Sequence, residues 1–97
     1  MKKVVVNASY GGFWLSERAC LWLCKRIGLE TPVKAYFWAN EHRDNKSLVW
    51  LVENKYNLPF DVDGEYSNLV IAYADETRRW YVSDVDDGVE DVLYYRS

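Results

Sequence analysis

The chain has 97 residues, of which 49% are hydrophobic and 28% charged, with a formal net charge of −3. That length and balance describe one small globular domain over 1–97 and exclude a disordered or fibrous polymer. The charge is uneven, with eight Lys/Arg against four Asp/Glu in residues 1–50 and four against eleven in 51–97; this excludes broad nucleic-acid backbone binding, which needs a concentrated basic face.

Residues 3–7 read as a short strand through the β-branched run Val4-Val5-Val6. Tyr10-Gly11-Gly12-Phe13 is a turn signal. Ser16 suits a helix N-cap and Glu17 the positive end of a helix dipole, so a helix is expected over 17–27. Cys20, Leu23, Cys24 and Ile27 recur at helical spacing as its core face, and Gly28 is its stop. Beyond Pro32 the aromatic-rich stretch 33–39 reads as a second strand. A polar loop over 40–45 leads to a second helix, from Asp44 or Asn45 to about Tyr56, with Leu48, Leu51 and Val52 inward. Pro59 and Gly64 mark the connection over 57–66.

Residues 69–74 form a strand, Asp75-Glu76-Thr77 a turn, and 79–85 the returning strand. Asp87-Gly88 is a favoured tight-turn dipeptide. Residues 89–95 read as a last strand, with a short helix as the alternative. The order β-α-β-α-β-β(-β) predicts an α+β fold with two helices packed on one face of a mixed β-sheet. A right-handed crossover would set the first two strands parallel, and the final strands would add an antiparallel hairpin.

No apolar stretch suits a signal-peptide core or a bilayer span, so a cytoplasmic protein with no membrane partner is expected. Cys20 and Cys24 are then reduced thiols. Their spacing on one helix face favours neither a disulfide nor, without His or carboxylate neighbours, a metal site. They are expected in the core, and neither metal nor cofactor is expected.

Chemistry concentrates between Asn7 and Arg18. There a strand feeds a Gly-Gly turn and then a helix N-terminus, whose free amides and dipole can hold a phosphate. Gly11 and Gly12 allow close backbone approach, Arg18 adds charge, and Tyr10, Phe13 or Trp14 can stack on a base. Arg43 reaches the same anion if both helix starts lie on one sheet edge. The candidate ligand residues are thus Asn7, Tyr10, Gly11, Gly12, Phe13, Trp14, Arg18 and Arg43. No Gly-Lys-Ser/Thr follows the glycines, so this is no Walker loop. The alternative is purely structural: a tight turn, a Ser16 cap and Phe13 stapling the helix to the core.

His42, the only histidine, stands among Glu41, Arg43 and Asp44. No carboxylate is placed by sequence to orient it and no nucleophile motif accompanies it, so no catalytic residue and no enzyme activity are expected. Arg78-Arg79-Trp80 suits either a phosphate or carboxylate clamp or exposed turn arginines. Asp84, Asp86, Asp87, Glu90 and Asp91 form an acidic patch. It reads either as a phosphate mimic that binds a partner protein or as a solubilising sheet edge.

The run Val6-Asn7-Ala8-Ser9-Tyr10-Gly11-Gly12-Phe13-Trp14-Leu15-Ser16-Glu17-Arg18-Ala19 resembles the opening of a family of small phage and prophage proteins. That family starts with a valine/isoleucine strand, Asn-x-x-Tyr-Gly-Gly-Phe-x-Leu-Ser and a helical alanine. Arg43-Asp44-Asn45 with Leu48-Val49 matches a second stretch. Trp80-Tyr81, Asp86, Asp87-Gly88, Glu90 and Val92 match a tail of the form Tyr-Asp-Gly-x-Glu-x-Val. Val85 stands where that tail has Tyr, and the final Trp is missing before Ser97. The resemblance implies phage origin and a cytoplasmic place in the infected bacterial host. By the company such accessory proteins keep, it also implies countering host immunity.

Two functions are therefore expected. One is sequestration, without catalysis, of a cyclic or ADP-ribose-type immune signalling nucleotide, by a homo-oligomer. The alternative is an anti-CRISPR-type inhibitor that blocks a host defence protein through the acidic C-terminal half.

Overall fold

A computed structural model describes residues 1–96. The elements are β1 (Lys2–Asn7), α1 (Glu17–Ile27), α2 (Pro32–Glu41), α3 (Lys46–Glu53), a 3-10 turn (Lys55–Asn57), β2 (Leu69–Ala74), β3 (Trp80–Asp86) and β4 (Val89–Tyr94). The fold is α+β, with three helices and two antiparallel two-stranded sheets, β1–β2 and β3–β4.

Local chemistry explains most element ends. Ser16 caps α1 by accepting from the Ala19 amide, and Gly28 closes it in the left-handed conformation. Asn45 caps α3 by accepting from the Ser47 and Leu48 amides. Asp87 and Gly88 both take positive φ, the twist that a two-residue hairpin turn demands between β3 and β4. The last segment is a strand, paired from Trp80↔Tyr94 to Asp86↔Val89, with Val85 bulged out of register.

The expected second strand at 33–39 is instead helix α2. Thr31 caps it by accepting from the Lys34 amide, and Pro32 occupies the first turn, where its missing N–H costs nothing. Ala35 and Ala39, one turn apart, are fully buried and bring α2 close to the core. Tertiary packing of this small-residue face overrides the strand preference of Tyr36, Phe37 and Trp38.

That helix removes the expected crossover. β1 pairs antiparallel with β2, from Lys2↔Ala74 to Asn7↔Leu69, and no mixed sheet forms among the described residues. All three helices are carried on the long excursion between these two strands. β1 is buried on both faces. Val5, with Leu69 and Ile71, packs into the helices. Val4, Val6 and Ala74 pack on Trp80, Val82 and Val92 of the second hairpin. The molecule is thus helices, a central β-pair and an outer β-pair, rather than two helices on one sheet.

Candidate functional site

The predicted cluster at Asn7–Arg18 and Arg43 resolves into a structural junction. Asn7 is fully buried. Its Nδ2 donates to the Ser9 and Gly88 carbonyls, and its Oδ1 accepts from the Asn68 amide. Gly11 donates its amide to the Asp87 carbonyl. A Cβ on Gly88 would lie 2.3 Å from the Gly12 nitrogen, so the two glycine turns meet backbone to backbone. The glycines serve this contact.

Arg43 lies beneath the surface with its guanidinium 3.7 Å from the centre of the Phe13 ring. Nε donates to the Asn40 carbonyl. Nη1 donates to the Val5 carbonyl and Glu90 Oε1, and Nη2 to Asn40 Oδ1 and Glu90 Oε2. All five N–H groups are used, so nothing remains for an anion. The same pair closes the free edge of β1: Val5 donates its amide to the Arg43 carbonyl, and Asn7 donates its amide to Glu90 Oε1.

The start of α1 carries the wrong sign for a phosphate. Asp61, Asp63 and Glu65 join Glu17 around a hollow of about 460 Å³ at this helix end, and Ser16 Oγ donates to the Asp61 carbonyl. Lys55, nearly buried, pairs with Asp63 at 2.9 Å. Arg18 lies exposed on α1, and Tyr10 is exposed with its hydroxyl turned to Asp86. Trp14 stacks on Tyr36 with ring centres 4.9 Å apart. Asn7, Gly11, Gly12, Phe13 and Arg43 therefore converge, but as a saturated core junction. Tyr10, Trp14 and Arg18 stay at the surface.

The acidic patch is also divided. Glu90 is withdrawn into the Arg43 pair, and both Asp84 oxygens accept from the Gly88 amide. Asp86, Asp87 and Asp91 remain exposed. His42 stacks on Trp38 at 4.3 Å, with Nδ1 against the Trp38 carbonyl. Cys20 and Cys24 are buried free thiols; burial pushes Cys20 up to about 11, and Cys24 Sγ donates to the Leu29 carbonyl.

Two of the open surfaces among the described residues bear on binding. At the free end of the β3–β4 hairpin, Thr77, Arg78, Arg79, Tyr94, Tyr95 and Arg96 line a cleft of about 660 Å³. The Arg78 guanidinium lies 4.0 Å from the Tyr94 ring centre and that of Arg79 5.0 Å from Tyr95. Tyr81 leans on Tyr95 at 4.5 Å. None of the three arginines forms an ion pair with a carboxylate among the described residues. Asp75, the nearby acid, is turned onto Thr77, whose hydroxyl and amide hold its carboxyl below the usual range with help from Arg78. The motif reading saw Arg78-Arg79 but not its partners. The bulge at Val85 shifts the antiparallel register by one and sets Arg79 opposite Tyr95, an offset that counting back from Asp87-Gly88 does not give. The other open surface is an apolar groove between α1 and α2.

No protein-family model matches the chain, and neither a curated protein nor a solved structure matches it. No helix among the described residues is long and apolar enough to cross a membrane.

Proposed function

We propose that this is a non-catalytic binding protein that sequesters a planar, phosphate-bearing small molecule of the nucleotide class in the cleft at the open end of β3–β4. The observation that carries this is the convergence of Arg78, Arg79 and Arg96 with the Tyr94 and Tyr95 rings. Guanidinium groups bind phosphate bidentately, and tyrosine rings offer a face for a base. A cleft of about 660 Å³ lies in the range of small-molecule sites, roughly 300–1,000 Å³. Arginines already stacked on rings hold their planes in place, which lowers the ordering cost of binding.

The resemblance to small phage and prophage proteins supports a host immune signal as the ligand, of the cyclic or ADP-ribose type. The cleft's residues offer charge and stacking, which support binding. The test is thermal stability against cyclic dinucleotides, cyclic trinucleotides and cyclic ADP-ribose isomers. One ligand should raise the melting temperature by several degrees, since binding to the native state stabilises it by mass action. The shift should vanish in Arg78→Ala/Arg79→Ala, and the ligand should be recovered unchanged on denaturation. No shift across the panel, a shift retained in the double variant, or a converted ligand overturns the reading.

A further inference from the structure

A different surface carries a second conclusion. Val33 and Phe37, one turn apart on α2, are 65% and 60% exposed, and Trp14 and Leu21 across the groove are 50% and 46% exposed. The groove between them has a floor of Leu15, Cys20 and Tyr36 and a volume of about 700 Å³. Four such half-exposed side chains leave on the order of 400 Å² of contiguous apolar surface. A patch of that size is often a functional surface. It matches the apolar centre of a standard interface, which takes roughly 800 Å² per partner and is a little over half apolar.

The flanks differ in sign. On α1, Arg18 and Lys25 stand one turn either side of Leu21 and outnumber Glu17, so this flank is basic, while Arg26 turns away over Trp22. The α2 side carries Glu30 and Glu41 against Lys34, which pairs with Glu30 at 2.8 Å, so it is acidic. A face with a basic flank, an apolar middle and an acidic flank is complementary to itself. Rotation by a two-fold axis running along the groove sets α1 of one copy over α2 of the other. Each basic flank then meets an acidic one, and Phe37 of each copy enters the other's groove.

We infer that a second copy of this chain covers the α1–α2 groove, forming a two-fold dimer through Trp14, Leu21, Val33 and Phe37. Sedimentation equilibrium on the full chain tests it at tens to hundreds of micromolar. A mass twice that of the 11.5 kDa chain is expected. Phe37→Asp and, separately, Val33→Glu should return the monomer mass while the circular dichroism spectrum and melting curve show an intact fold. Arg18→Glu/Lys25→Glu and Glu30→Lys/Glu41→Lys should each fail to self-associate, and their equimolar mixture should restore the dimer. A monomeric parent chain overturns the inference and leaves the groove to a foreign segment. A dimer untouched by both apolar variants, a mixture that stays monomeric, or any mass other than a dimer's overturns it too.

Discussion

Arg43 and Glu90, 47 residues apart in the chain, join through two hydrogen bonds of 2.7 and 2.8 Å at the point where the helical layer meets both β-pairs. The pair acts as a side-chain substitute for a third strand beside β1: it takes up the Val5 carbonyl and the Asn7 amide that an unpaired edge would expose. An edge closed in this way resists pairing with other chains. The arginine that sequence reasoning set toward a ligand thus holds the fold together.

Removing either partner strands the other charge in a largely dry site. Arg43→Ala or Glu90→Ala should each cost about 3–5 kcal/mol in urea denaturation. Replacing both with apolar residues of similar volume, Arg43→Met/Glu90→Leu, should cost clearly less than the two single losses together. Equal, additive and small effects would show that the pair is not coupled.

The meeting of the two glycine turns makes a second, sharper contrast. Gly88→Ala meets both a positive φ and the Gly12 backbone at 2.3 Å, so at least about 3 kcal/mol of destabilisation is expected. Gly28→Ala has the same kind of backbone conformation but open space around its Cβ, so about 1 kcal/mol is expected. Thermal and denaturant unfolding of the two variants should rank them in that order.

Burial raises the Cys20 thiol to about 11 from an ordinary value near 9. Its folded-state value lies above the unfolded one, so its contribution to stability is complete below about pH 9 and is lost as pH rises toward 11. Unfolding midpoints should fall across that window, and less so in Cys20→Ala. Native protein at pH 8 should also resist thiol-reactive dye until denaturant is added.

The Arg78 and Arg79 guanidinium groups lie against tyrosine rings and form no ion pair among the described residues. Arg78→Ala and Arg79→Ala should therefore leave stability within about 0.5 kcal/mol of the parent, read by urea denaturation without ligand. A large loss would mean that the cleft is held together by these cation–ring contacts and is a structural feature.

Trp22 and Trp50 stack at 5.4 Å between α1 and α3, and Ser16, Asn45 and Gly28 sit at helix ends. The Ser16 cap and the Gly28 stop were legible in the sequence because capping is local chemistry, and Asn45 was one of two expected helix starts, while the tryptophan stack is a contact between elements. The strands expected at 69–74 and 79–85 were legible from their β-branched and aromatic runs, and the last segment, for which a short helix was the alternative, is strand β4. The α2 signals, Thr31-Pro32 and the spacing of Ala35 and Ala39, were also present, but three successive aromatics outweighed them. Of the candidate site, the run at Asn7–Phe13 reads as a ligand-binding turn or a purely structural one, and the structure shows Gly11 and Gly12 packed against the Asp87-Gly88 turn. What it meets was not readable there.

The sequence by itself determined the Ser16 and Gly28 ends of α1, the burial of Cys20 and Cys24, the tight turn at Asp87-Gly88 and the α+β class, since each rests on residues a few positions apart. Only the tertiary structure decided that β1 pairs with β2 and that Arg43 pairs with Glu90. Those outcomes depend on contacts tens of residues apart. Burial there sets the cost of every unpaired edge and charge, and the packing that relieves it has no local signature.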